Sequence, residues 1–158
     1  MAVWQVDFHV IPRRALAGGD SRMPPSVLET TDWWSNATLP ADYRSRLTAL
    51  APPVAVADRD LEIWGSEDGN RVEVQSGNGR VRRVRAKVDV RHLDSKFGAA
   101  FINFARKVDT VLVRSDGLVV EPTITAYAGA LRTSEAWRYS NDPMTYLARQ
   151  AADDDTDE

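Results

Sequence analysis

His9 stands two residues after Asp7 in the segment VWQVDFHVI, where apolar and polar residues alternate. On a β-strand, residues two apart share a face at about 6 to 7 Å, so the imidazole and the carboxylate are neighbours. A carboxylate beside an imidazole can orient it for general-base work or help it hold a metal. The local sequence offers no third partner, so His9 reads as an exposed histidine on the polar side of a strand. His92, two residues before Asp94, reads the same way. Asp32, Asp89, Asp109, Asp116 and Glu121 are spread singly and build no DxD, EF-hand loop or HExxH. GxxxxGK[ST] and GxSxG are absent. Gly77-Asn78-Gly79 joins two strands and precedes no helix, which removes the dinucleotide-binding reading. No catalytic residue, metal ligand or cofactor is assigned. The sequence leans against an enzyme and leaves only a site assembled from dispersed residues.

The densest charge lies in residues 79 to 91, GRVRRVRAKVDVR, which carry six cations in a β-like alternation. Val84, Ala86, Val88 and Val90 share one face, and Arg83, Arg85, Lys87, Asp89 and Arg91 share the other. The row of cations repeats at about 6 to 7 Å, close to the phosphate spacing of one nucleic-acid strand. Asp89 interrupts the row, Glu73 on the preceding strand can pair with it, and no aromatic is interleaved for bases to stack on. A solvated sheet face is the leading reading. Contact with an acidic protein partner and contact with nucleic acid follow in that order.

Asp32-Trp33-Trp34 lies within a loop of residues 17 to 37, rich in Gly, Pro, Ser and Thr. Such a loop in a compact chain is functional or mobile. The two indoles seal the end of the core as a lid, or anchor a partner as interface tryptophans do. The candidate partner-binding set is therefore Asp32, Trp33, Trp34, Arg83, Arg85, Lys87 and Arg91.

The elements that must position these groups follow from periodicity. Residues 3 to 11 form a strand ended by Pro12, and one helical turn is expected around Ser26 to Thr30. Thr38 to Leu50 read as a helix, with Tyr43, Leu47 and Leu50 at i, i+4 and i+7 and Pro52-Pro53 ending it. From 61 to 91 the period falls to two, with turns at Asp68-Gly69 and Gly77-Asn78-Gly79, giving an antiparallel meander. Asp94 or Ser95 caps a helix whose Phe97, Phe101, Phe104 and Val108 form a buried stripe. A hairpin over 110 to 121 follows, and its continuous apolar runs suit a covered strand. One further helix begins at Pro122-Thr123, SEAWRYSNDP reads as a corner between helices, and a last helix begins at Asp142-Pro143 with Met144, Leu147 and Ala151 on its apolar side. This order predicts an α+β fold with a mixed, mostly antiparallel sheet of about five or six strands and helices on one face. The helix between the meander and the hairpin could carry one parallel crossover.

The chain has 158 residues, 43% of them hydrophobic, and no cysteine. That suits one domain over 1 to 150 in a reducing, cytoplasmic setting, with no signal peptide and no membrane span. Five of the last six residues are acidic, so the formal charge of −3 becomes −3 + 5 = +2 without them. Residues 151 to 158 are expected to be a disordered acidic tail, usable as a competitor for a basic surface. In size and style the chain is similar to small bacterial partner-binding proteins such as toxin-neutralising immunity proteins. The expected function is thus a cytoplasmic protein-binding module of immunity, inhibitor or adaptor type. A nucleic-acid-binding module that uses the basic strand over 80 to 91 is the alternative.

Overall fold

The computed structural model describes residues 2–16 and 18–156. In chain order the elements are β1 (Gln5–Pro12), α1 (Pro25–Thr30), α2 (Tyr43–Leu50), β2 (Pro53–Val54), β3 (Leu61–Gly65), β4 (Arg71–Gly77), β5 (Arg80–Asp89), α3 (Ser95–Lys107), β6 (Thr110–Arg114), β7 (Val119–Val120), α4 (Ile124–Arg132), α5 (Glu135–Asn141) and α6 (Pro143–Thr156). The strands form one sheet in the order β2-β3-β4-β5-β1-β6-β7. All neighbouring strands are antiparallel. The fold is α+β. The strand beyond the expected six is β2, a two-residue edge strand that begins at the proline ending α2.

Local chemistry explains each junction. Asn78 and Gly79 both have positive φ, as a two-residue β4–β5 hairpin requires. Asp94 caps α3 by accepting from the amides of Lys96 and Phe97. Thr123 does the same for α4, and Ser134 for α5. The expected corner at SEAWRYSNDP is thus a helix of its own, because Ser134, its first residue, supplies the cap. β5 and β6 both run antiparallel to β1, hence parallel to each other, and α3 carries the chain across β1 between them.

One face of the sheet carries the main core. Val6, Phe8, Val10, Val72, Val74, Val84, Ala86 and Leu112 meet Leu47 of α2, Phe97, Phe101 and Phe104 of α3, and Tyr127 and Leu131 of α4. On the opposite face a smaller cluster packs Leu28 of α1 on Ile11, Val111 and Val113. β1 is consequently covered on both faces, and all eight of its residues are buried. His9, read from the sequence as exposed, is 3% exposed. Alternation in β1 marks two different interiors, one apolar and one polar, instead of an inside and an outside.

α6 runs to Thr156 and takes Asp153, Asp154 and Asp155 into the helix, where the sequence suggested a disordered tail. Asp157 and Glu158 lie outside the described residues. No helix among those described is long and apolar enough to cross a membrane.

Candidate functional site

The run RVRRVRAKV would break strict alternation at its arginine doublet. The sheet resolves this with a β-bulge. Gln75 pairs with Arg83 and Ser76 with Val81, so Arg82 is the extra residue. The bulge re-phases the strand, and Val81 turns back to pack against the main core beside Val84. Arg80 and Arg82 are brought round to join Arg83, Arg85 and Lys87 on the opposite face, where their carboxylate partners lie.

Those partners come mainly from the 17–37 segment. Asp32 binds Arg80 and lies 3.5 Å from Arg82. Glu29 lies 3.6 Å from Arg83 and 3.4 Å from Arg85. Lys87 faces Glu73 at 3.9 Å, and Arg91 binds Asp89 at 2.9 Å. Every cation of the strip thus has a carboxylate within the chain. Arg80 donates to Asp32 and holds its carboxyl below the usual range. Arg80, Arg82, Arg83 and Arg85, partly exposed to water, anchor the segment that crosses them.

The same segment is held by aromatic and backbone contacts. Trp34 is 2% exposed, packs in the main core and donates its indole N–H to the Val10 carbonyl at 3.1 Å. Trp33 is partly buried, packs against both clusters and donates to the Leu28 carbonyl at 3.0 Å. The adjacent indoles therefore serve the two faces of the sheet, as a lid does. Upstream, Arg22 bridges to Leu118, and Met23 donates to the Gly117 carbonyl at 2.9 Å. The segment is a strap fixed at both ends.

Beneath the strap lies a cavity of about 300 Å³ bounded by His9, Glu29, Asp32, Trp33, Gln75 and Arg83, among others. His9 Nε2 is 3.3 Å from Glu29 and 3.5 Å from Arg85. Burial and then the Arg85 charge lower its pKa to about 4, so the ring is neutral at pH 7. A neutral imidazole beside a carboxylate has the composition of a general base with its orienting group. Here the Glu29 carboxylate and the Arg85 guanidinium both approach the same nitrogen, Nε2. Asp7, the other member of the sequence-derived pair, is buried nearby. Burial raises its pKa against the opposing pull of Lys87 and Arg85. Its Oδ1 makes no hydrogen bond among the described residues. The pair is a buried polar layer within the sheet.

Bare apolar surface lies elsewhere. In α6, Met144, Leu147, Ala148 and Ala151 recur at i, i+3, i+4 and i+7. Met144 is 76% and Leu147 51% exposed, and no residue of the helix is buried. Tyr146, about 200° round the helix from Met144, meets Tyr139 of α5 edge-on at 5.6 Å. The contact with the body is thus made by the flank opposite the apolar stripe. A groove of about 200 Å³ lies between Leu93, Asp94 and the first turns of α3 on one side and α4 on the other. Met144 and Leu147 were legible as an apolar helix face; that nothing covers them was not.

Comparison with protein-family models, with curated proteins and with solved structures gives no match to this chain.

Proposed function

We propose that the chain is a protein-binding module that docks through the bare stripe of α6. The observation that carries this reading is a 14-residue amphipathic helix without a single buried residue. Isolated helices of that length are marginal in water, and helices in proteins owe most of their stability to packing of their apolar face. A stripe of Met144, Leu147 and Ala151 laid in a partner's apolar groove supplies that packing in the helix-in-groove mode of recognition.

Charge completes the description of the partner. Asp153, Asp154 and Asp155 occupy the last turn of α6, where the helix dipole is already negative. Cations on the partner relieve this repulsion, so the expected surface is an apolar groove with a basic rim. Inhibitor, immunity-like and adaptor roles in a cytoplasmic bacterial setting are all of this kind. The anchored strap supports this choice by contrast. Trp34 is interior and the cations of β5 have carboxylates within the chain, which favours α6 over the set of Asp32, Trp33, Trp34, Arg83, Arg85, Lys87 and Arg91 as the docking surface.

The test uses a photo-reactive residue at position 147 in the full chain, with the captured protein identified, purified and titrated. Met144→Glu and Leu147→Glu should leave the melting transition unchanged, because both positions are exposed, and should weaken that purified complex by about tenfold or more. Equal affinity of wild type and variants would refute docking through α6.

A further inference from the structure

Two consecutive arginines of β5 line one cavity. In a regular strand neighbouring side chains point to opposite faces. The bulge at Arg82 breaks that alternation, and Arg82 and Arg83 both line the cavity between the strap and the sheet. Bulges re-aim side chains and are frequent beside functional sites.

Charge at this cavity is not balanced. Arg80 donates to both oxygens of Asp32, while Arg82 stands 3.5 Å from the same carboxylate. Glu29 is shared in the same way, 3.4 Å from Arg85 and 3.6 Å from Arg83. Four guanidinium groups thus face two carboxylates, an excess of 4 − 2 = +2. The two arginines with the longer contacts are the two that line the cavity. His9, the other titratable group of the lining, is neutral at pH 7 and adds no charge. Glu73, farther along the sheet, lies outside the cavity and is itself shared by Arg71 and Lys87. The shortage of acceptors shows in Arg85, whose buried Nε has no hydrogen-bond partner among the described residues. A buried donor left in that state is costly, and an occupant that brings acceptors to this network is favoured.

We propose that the cavity binds a small dianion, a phosphoryl group held by the Arg82 and Arg83 guanidinium groups. An excess of two positive charges matches the charge of a phosphomonoester near neutral pH, whereas a monocarboxylate offsets half of it. Guanidinium forks meet phosphate oxygens with paired N–H bonds. Gln75 and Ser76, on β4 beside Arg83, line the same cavity with neutral donors. A volume of about 300 Å³, walled on one side by strap residues 29 to 34, takes one phosphoryl group with a small body. It does not take the run of phosphates along a nucleic-acid strand. The ligand is therefore a small phosphorylated molecule or free phosphate, and α6 has no part in its binding.

The experiment is calorimetric titration of the full chain at low salt and about pH 8, where inorganic phosphate and phenyl phosphate are both dianions. The wild type is expected to take up one equivalent with saturation. Arg82→Gln and Arg83→Gln should each weaken binding by about tenfold or more. Arg132→Gln, which removes an exposed arginine of α4 outside this cavity, should match the wild type. Glu29→Gln removes an opposing charge at nearly constant size and should tighten binding by about two- to fivefold, a gain that a poorly folded chain cannot give. Tighter binding of phenyl phosphate than of inorganic phosphate identifies a phosphomonoester as the ligand, and equal binding identifies free phosphate. No saturable binding of either probe, equal losses in Arg83→Gln and Arg132→Gln, or no gain in Glu29→Gln overturns the site.

Discussion

Glu29 Oε1 lies 3.3 Å from His9 Nε2, closing the contact between α1 and the buried polar layer of β1. With the ring proton on Nε2, His9 donates to Glu29; with it on Nδ1, His9 accepts from Arg85, 3.5 Å away. Either neutral form satisfies the site, whereas a protonated ring must share it with the Arg85 and Arg83 guanidinium groups. That competition makes the strap's attachment sensitive to pH.

The folded chain protonates His9 near pH 4, against about 6.5 for the unfolded chain. Between those values the unfolded state binds more protons, so stability is full above pH 6.5 and falls as pH drops toward 4. The gap corresponds to about 3 kcal/mol. Urea unfolding at steps from pH 7 to 4 should show this decline, and His9→Gln should flatten it. Carboxylates held low by arginine, including Asp116 and Glu121, contribute only from the acid end of that window downward, as pH falls through their ordinary values of 3.8 and 4.5. A wild type equally stable at pH 7 and 4.5 would contradict the assignment.

The two tryptophans should separate by stability. Trp34→Ala removes a side chain enclosed in the main core and should cost about 3 to 5 kcal/mol. Trp33→Ala, at a partly buried position, should cost less. Equal, negligible losses in chemical denaturation would return both indoles to the role of partner anchors.

Gly117 has φ of 95°, and a Cβ there would stand on the Met23 carbonyl. Gly117→Ala should cost about 1 to 3 kcal/mol. Amide exchange should quicken at Met23 and Val119, whose bonds tie the strap to the sheet edge. Unchanged exchange at both amides would show that the strap is fixed without this turn.

The paired strip predicts silence toward polyanions. Wild-type protein titrated at low salt with single-stranded and duplex oligonucleotides should give flat anisotropy curves. Glu29→Gln combined with Asp32→Asn leaves Arg80, Arg82, Arg83 and Arg85 without their carboxylates. That variant should bind single strands with an affinity that falls as salt rises. Wild-type binding as tight as the variant's would show that the strip is open after all.

Much of the fold was legible because it rests on short-range rules. Period-two stretches gave the meander, the aromatic stripe of Phe97, Phe101 and Phe104 gave α3, and the caps Asp94 and Thr123 act within three residues of themselves. β2 was missed because two residues beginning with proline carry no period. α5 was missed because a seven-residue helix is too short to show one. The bulge at Arg82 was written in the doublet of RVRRVR, but only as a conflict in phase whose resolution needed a pairing partner.

Residue types and their order, on their own, determined an α+β chain with a cationic strand, adjacent tryptophans in a polar segment and an amphipathic last helix. Periodicity reports which side chains share a face, and that is a property of the local backbone. Whether a face meets water, a carboxylate or another helix depends on what distant segments lay across it. Only the tertiary structure decided that Glu29 and Asp32 cover the arginines of β5, that His9 lies inside, and that Met144 and Leu147 lie bare. The physical reason is range: hydrogen-bonded periodicity acts over a few residues, whereas the ion pair between Asp32 and Arg80 closes 48 residues of chain.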